Sequence, residues 1–186
     1  MIELQNKLLQ RVNELKVFKT GNFTLASGIK SKFYLDGRLL SMDSESSILI
    51  GEIFFNEIAK IDVKDIGGPA TAAIPIISSV ISVARLNHNI DLKGFYVRSS
   101  LKDHGLANKI EGNLKNKKDV VVIDDTLTSG QSILSTIKEL DLIKCNTLKT
   151  FTIFDRSSGG KENLEKNGYS NYSIFKYDKE SNALII

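Results

Sequence analysis

A chain of 186 residues, 41% apolar and 25% charged, is long enough to bury a substantial core and has the composition of one ordinary globular domain. Twenty-five basic against 22 acidic residues leave a formal charge of +3 with no block of like charge, which argues against a dedicated nucleic-acid binder. The lone Cys145 excludes an intrachain disulfide and a cysteine metal cluster.

Leu4, Leu8, Val12 and Leu15 recur at helical spacing, so residues 2–18 are predicted to form an amphipathic helix with one packed face. Gly21 and Gly28 then punctuate two apolar runs, Phe23 to Ser27 and Lys32 to Asp36, which predict a pair of strands. The turn between them holds Lys30, either a solvated lysine or a cation beside a ligand. Asp43 or Ser44 is placed to cap a helix carrying Ile48, Ile53, Phe54 and Ile58. A short strand near Asp65-Ile66 leads into Gly67-Gly68-Pro69, read as a turn that is either a tight corner or an anion seat. The helix after it, with Pro75 in its first turn, runs to about Arg85. The segment from Ile74 to Leu86 is the most apolar in the chain. Ser78, Ser79, Ser82 and Arg85 interrupt it, and it is too short to span a bilayer. With an amphipathic rather than signal-like opening at Ile2–Gln5, no membrane partner and a cytoplasmic setting are expected.

Lys93 to Arg98 reads as a strand, followed by a long polar connection from Ser99 to Asn113 with neither helical nor strand periodicity. A loop of that length in a compact domain is often a lid. Asp119 opens the most informative stretch. Val120 to Ile123 is a continuous apolar run, suited to a strand covered on both faces, and it stops at the adjacent carboxylates Asp124 and Asp125. Thr126, Leu127, Thr128, Ser129, Gly130, Gln131 and Ser132 follow and lead into a helix predicted over 130–141. Hydroxyls and free N–H groups at a helix N-terminus favour a phosphate. Two acids beside a phosphate cradle make sense if the ligand also carries sugar hydroxyls or a divalent metal; the bland alternative is a helix cap plus a surface acid. A strand over Leu148–Phe154, then Asp155-Arg156, and an extended Tyr172–Phe175 complete an alternating β/α pattern, an α/β domain with an N-terminal appendage. Loops after parallel strands converge on one rim, where ligands bind. Neither a P-loop nor a Gly-x-Gly-x-x-Gly motif occurs.

Asp124-Asp125 followed by Thr-x-Thr-Ser-Gly resembles the phosphoribosyl-diphosphate motif of type I phosphoribosyltransferases. Three further stretches are similar to the orotate phosphoribosyltransferase family: Phe23 to Ser31 with Tyr34-x-Asp36-x-Arg38, Tyr96 to Ser99 with Lys102-Asp103-His104-Gly105 and Ile110-Glu111-Gly112, and Asp155-Arg156. The matches span residues 18 to 160, although Ala26 and Ser99 stand where one branch of the family carries lysines. The resemblance implies a type I phosphoribosyltransferase fold, a mostly parallel central sheet flanked by helices. It would form a single domain over 1–186, with an N-terminal hood (1–40), a core (41–160) and a C-terminal strand/helix tail (161–186). It also implies transfer of ribose 5-phosphate to orotate, with Mg²⁺ as cofactor and a homodimer whose catalytic loop acts in trans. By the same resemblance, Asp124 and Asp125 face the ribose hydroxyls, directly or through metal-bound water, and residues 126–132 hold the 5-phosphate. Thr71 and Ala72 approach the diphosphate, with a cis Ala70–Thr71 peptide. Arg98, Lys102 and His104 neutralise the departing pyrophosphate. Thr128 and Arg156, with Lys30 and Tyr34 more weakly, face orotate. The alternatives are a transferase for another nucleobase, or a non-catalytic sensor of phosphoribosyl diphosphate.

Overall fold

The apolar run after Asp119 is the middle strand of a seven-stranded sheet. The computed structural model describes residues 1–24, 30–99 and 109–186. The N-terminal part consists of α1 (Ile2–Glu14), β1 (Phe18–Thr24), β2 (Lys30–Leu35), α2 (Arg38–Ser41) and α3 (Ser44–Ile58). Then come β3 (Asp65–Pro69), α4 (Ala73–His88), β4 (Lys93–Val97), β5 (Ile110–Gly112), β6 (Asp119–Leu127) and α5 (Gln131–Leu142). The chain closes with β7 (Asn146–Asp155), α6 (Gly160–Lys166), β8 (Asn171–Asp178) and β9 (Ala183–Ile185).

The strand order is β5-β4-β3-β6-β7-β8-β9. The five inner strands are parallel, and the short β5 and β9 pair antiparallel at the two edges. The helix-flanked, mostly parallel architecture expected from the resemblance is therefore present. From β3 the chain crosses through α4 to β4 on one side, and from β6 it crosses through α5 to β7 on the other. The crevice between β3 and β6 is the point where the winding reverses, the place in such sheets where ligands bind.

Covering on both faces explains the unbroken apolar run in β6. Val121 and Ile123 pack with Leu8 of α1, Phe54 of α3 and Ile76 of α4. Val120 and Val122 point the other way, into Ile133, Ile137 and Leu140 of α5. Each fully buried Val, Leu, Ile or Phe contributes roughly 1.5–3 kcal/mol relative to an exposed one, so these two clusters hold the layers together. Asp43 caps α3 as predicted, its carboxylate accepting the Ser46 N–H at 3.0 Å. β1 and β2 form a separate antiparallel pair.

Several expectations need correction. α1 ends at Glu14, four residues before the predicted end, and Lys16 adopts a left-handed conformation (φ 52°). Gly67, Gly68 and Pro69 belong to β3 and are not a turn: a Cβ at Gly67 would enter the Phe95 ring, and one at Gly68 would enter the Ile123 carbonyl. These glycines let β4 and β6 approach β3 closely. Within the polar connection, residues 110–112 form the edge strand β5, too short for its periodicity to register. β6 does not stop at the acids but continues through Asp124 to Leu127, because the longer β7 runs beside it. Ile48 is 55% exposed and outside the core. The short helix α2 lies outside the predicted elements, and α6 is a helix at the start of the tail. No helix among the described residues is long and apolar enough to cross a membrane.

Candidate active site

The carboxyl ends of β3, β4, β6 and β7 meet at one rim. β6 overruns its pairing with β3, which ends at Gly67↔Val122, so Asp124 and Asp125 stand on the lip of the crevice. Asp124 is only 5% exposed. Its Oδ2 accepts the Ser132 hydroxyl at 2.8 Å, and its Oδ1 accepts the Asp125 N–H at 2.9 Å. These two bonds do not offset the loss of solvent. Burial, reinforced by the neighbouring Asp125 charge, pushes the Asp124 carboxyl up to about 7. Asp125 is also raised, by burial first, while the Thr126 N–H, Asp124 and the Arg38 cation oppose the shift. Two crowded acids that resist ionisation form a site prepared for hydroxyl donors or a cation.

From Leu127 the chain turns into α5. The side chain of Leu127 is in the core, so only its backbone is available to a ligand. Thr128, Ser129, Gln131 and Ser132 are exposed around Gly130, whose φ of 77° glycine readily accommodates. α6 supports this turn from behind: Asn163 Nδ2 donates to Ser129 O at 2.7 Å, and a Cβ on Gly160 would stand 2.6 Å from Thr128 O. Neither Gly160 nor Asn163 stands out in the sequence, because their contribution depends on packing against residues distant in the chain, 34 positions away for Asn163 and Ser129.

At the end of β3 the Ala70–Thr71 peptide is cis, as expected, and Ala72 caps α4, with Thr71 exposed. Pro69, Ala70, Arg98 and Ser132 line a single cleft. Arg98 is anchored by its N–H to Lys109 O (2.9 Å), and its Nε is buried with no hydrogen-bond partner among the described residues. A buried guanidinium nitrogen left open beside a helix N-terminus suits an anion. Lys102 and His104 lie outside the described residues.

The next strand supplies Arg156, whose N–H donates to Leu127 O at 2.9 Å, so the residue is held beside the 128–132 turn. Its guanidinium is half-buried, which pulls its pKa below the usual arginine range, and lies 4.4 Å from the Phe33 ring centroid. Phe33 in turn packs on Tyr177 at 4.1 Å. The hairpin therefore presents Phe33 to Arg156, while Tyr34 projects to the other face, against Phe23 and with its hydroxyl 3.5 Å from Asp36. Lys30 is exposed at the start of β2. Of the orotate-side candidates, Arg156 and Thr128 are brought together; Tyr34 is held by Asp36 instead.

Among the described residues no group of three or more His, Cys, Asp or Glu side chains is arranged to hold a metal ion. The donor set at the rim is the oxygen-only pair Asp124 and Asp125. Such a pair fits a hard divalent cation shared with ligand oxygens rather than an all-protein cage.

The chain as a whole is similar to known proteins. The phosphoribosyl transferase domain family matches residues 46–176. The orotate phosphoribosyltransferase of Aquifex aeolicus is 33% identical over 179 residues, covering 95% of this chain and 97% of that one. That of Methanocaldococcus jannaschii is 36% identical over 165 residues, 89% and 90% of the two chains. The solved orotate phosphoribosyltransferase of Mycobacterium tuberculosis superposes with a TM-score of 0.80 at 27% identity, covering 93% of this chain and 96% of that one. With end-to-end likeness to such enzymes, and with the paired acids, the glycine turn and the arginine after β7 on one rim, the chain belongs to the orotate phosphoribosyltransferase family.

Proposed function

We propose that this chain transfers the phosphoribosyl group of 5-phospho-α-D-ribose 1-diphosphate to orotate, giving orotidine 5′-monophosphate and pyrophosphate, a step of de novo pyrimidine (UMP) synthesis. One observation carries the reading: the acid pair Asp124 and Asp125, the N-terminus of α5 and Arg156 meet at the carboxyl rim of the sheet. A phosphate, a ribose and an anionic base therefore each find complementary groups within one crevice.

The backbone N–H groups and hydroxyls from Thr126 to Ser132 hold the 5-phosphate, favoured by the dipole of α5. Asp124 and Asp125 accept the ribose hydroxyls, and their negative charge faces an anomeric carbon that becomes oxocarbenium-like. As the C1–O bond to the diphosphate breaks, its electron pair leaves with pyrophosphate, orotate N1 bonds to C1, and the N1–H bond breaks, its proton passing to the departing pyrophosphate or to water. Arg98, Lys102 and His104 balance the charge growing on the leaving group, with Thr71 and Ala72 offering backbone contacts beside it. Arg156 pairs with the orotate carboxylate near Thr128. Lys30 and Tyr34 flank that end more loosely. No enzyme nucleophile is required.

Mg²⁺ is the proposed cofactor. Asp124 and Asp125 would hold it together with substrate oxygens, directly or through water, and when bound it neutralises part of the diphosphate charge. The chain works as a single domain, in which one hydrophobic cluster runs from Leu8 in the hood segment to Phe175 in the tail. A homodimer is proposed in which Lys102 and His104 serve the neighbouring subunit's site. The groove between α3 and α4, lined by the exposed apolar Ile48 and Leu86, supports such an assembly.

The reading is tested by offering the protein phosphoribosyl diphosphate and Mg²⁺ with orotate, adenine, hypoxanthine or uracil in parallel. Nucleotide should form with orotate alone. Turnover of another base, with orotate untouched, would assign a different member of the wider family.

A further inference from the structure

Gly37 separates the hood hairpin from α2, and it is buried. Its backbone (φ −63°, ψ −21°) is right-handed helical, a conformation open to every residue. Nothing in the chain's path calls for glycine here. Space does: a Cβ at this position would stand 3.1 Å from Asp125 Oδ2 and 3.3 Å from Asp125 Cβ. The glycine Cα thus forms a wall against which the second acid of the pair rests.

The flanking residues lock that wall in place. The Asp36 carboxylate accepts the Arg38 N–H at 3.2 Å, Arg38 Nε at 2.8 Å and Arg38 Nη2 at 3.0 Å, closing residues 36–38 into a clasp with Gly37 at its apex. The Asp36 N–H donates to Val17 O (3.1 Å), and Gly37 O accepts the Ser41 N–H (3.0 Å). Leu40, fully buried in the core, ties the following turn to the main domain. An exposed ion pair contributes little to stability by itself, and the Arg38 side chain is 64% exposed. Its forked geometry instead fixes a local shape.

We infer that Gly37, held by the Asp36–Arg38 clasp, is a positioning residue for Asp125. It sets where that carboxylate stands in the crevice, and through it how tightly the sugar is gripped. The inference rests on the proposed reading of Asp125 as a ribose contact. It gives Asp36, Gly37 and Arg38 a task on the sugar side of the site.

Titration calorimetry with phosphoribosyl diphosphate and Mg²⁺, using the full chain in its native assembly, tests this directly. Loss of one charge-assisted contact corresponds to a Kd about tenfold weaker for Gly37→Ala. The melting temperature should stay within a few degrees, and KM for orotate within about twofold. Arg38→Gln should weaken sugar binding more mildly. The double variant Gly37→Ala/Arg38→Ala should lose less than the product of its single losses, because an opened clasp lets the added methyl retreat. Asp125→Asn is the control. If it binds as tightly as wild type, the ribose reading of Asp125 fails and the inference falls with it. If it weakens binding while Gly37→Ala and Arg38→Gln do not, the positioning inference alone is overturned. Equal losses for sugar, orotate and melting temperature in Gly37→Ala would assign it a merely structural role and also overturn it. Should Gly37→Ala fail to fold, Arg38→Gln decides the matter by the same two readouts.

Discussion

The guanidinium of Arg156 lies over the ring of Phe33, 4.4 Å from its centroid, and joins the end of β7 to the hood hairpin. A half-buried cation stacked on an aromatic face has a fixed plane, which suits a two-pronged contact with a carboxylate. Arg156→Gln keeps a planar polar group but removes the charge. It is expected to raise KM for orotate on the order of a hundredfold, with KM for phosphoribosyl diphosphate changing little. Phe33→Leu leaves the charge and removes the stack, and an increase of about threefold to tenfold in the same constant is expected. Steady-state kinetics with each substrate varied in turn checks both.

Asp124 couples the site to stability. Its carboxyl is raised to about 7, chiefly by burial, so between its ordinary range and 7 the folded protein holds a proton that the unfolded chain has released. Stability therefore falls as pH rises through that window, and the full cost is present above it. Asp124→Asn removes the cost. With Mg²⁺ chelated, the variant should melt a few degrees above wild type at pH 8, and the gap should close near pH 4. Catalysis should nevertheless drop sharply. A variant that loses stability at pH 8 would mark Asp124 as a structural cap.

Asp43 shows the opposite sign. Its carboxylate is held below the usual range by the Ser46 hydroxyl and N–H, and then by Arg11, which reaches it from α1 at 3.1 Å. Such a group stabilises the fold above its unfolded pKa, and that contribution disappears as pH falls through the lower folded value. Asp43→Ala removes a helix cap and should cost about 1 kcal/mol at neutral pH. The difference from wild type should shrink under acid conditions. Turnover should change little, since the Asp43 carboxylate is engaged by Ser46 and Arg11 rather than by a proposed site residue. Thermal melts from pH 7 down to pH 3 measure this.

Gly160 is where the second helix layer meets the phosphate turn. A Cβ would stand 2.6 Å from Thr128 O and 2.8 Å from the Leu127 side chain. Gly160→Ala should push the turn outward, raise KM for phosphoribosyl diphosphate about tenfold and lower stability by about 1–3 kcal/mol. Isothermal binding of the sugar and denaturant melts together separate the two effects.

How far these features were legible in the sequence depended on range. Val120 to Ile123 announced a doubly covered strand, and Asp43 a helix cap, because both signals are local. Asp124 to Leu127 read as the end of a strand, since paired acids normally leave a sheet; only the longer β7 alongside carries them further. Gly67-Gly68 looked like a turn, because nothing nearby in sequence shows that Phe95 and the Ile123 carbonyl fill their Cβ positions. Phe33 rather than Tyr34 faces Arg156, a question of which strand face turns inward that two adjacent aromatics cannot answer. Gly160 and Asn163 were invisible for the same reason. The motifs identified the site's chemistry, whereas its supporting contacts depend on tertiary packing.

The most direct measurement follows orotate absorbance and pyrophosphate release together in one reaction with phosphoribosyl diphosphate and Mg²⁺. Orotate should disappear mole for mole with pyrophosphate appearing, and not at all when the sugar diphosphate is omitted. Pyrophosphate released without loss of orotate, or no change with the folded protein, would contradict the assignment of this rim as an orotate phosphoribosyltransferase site.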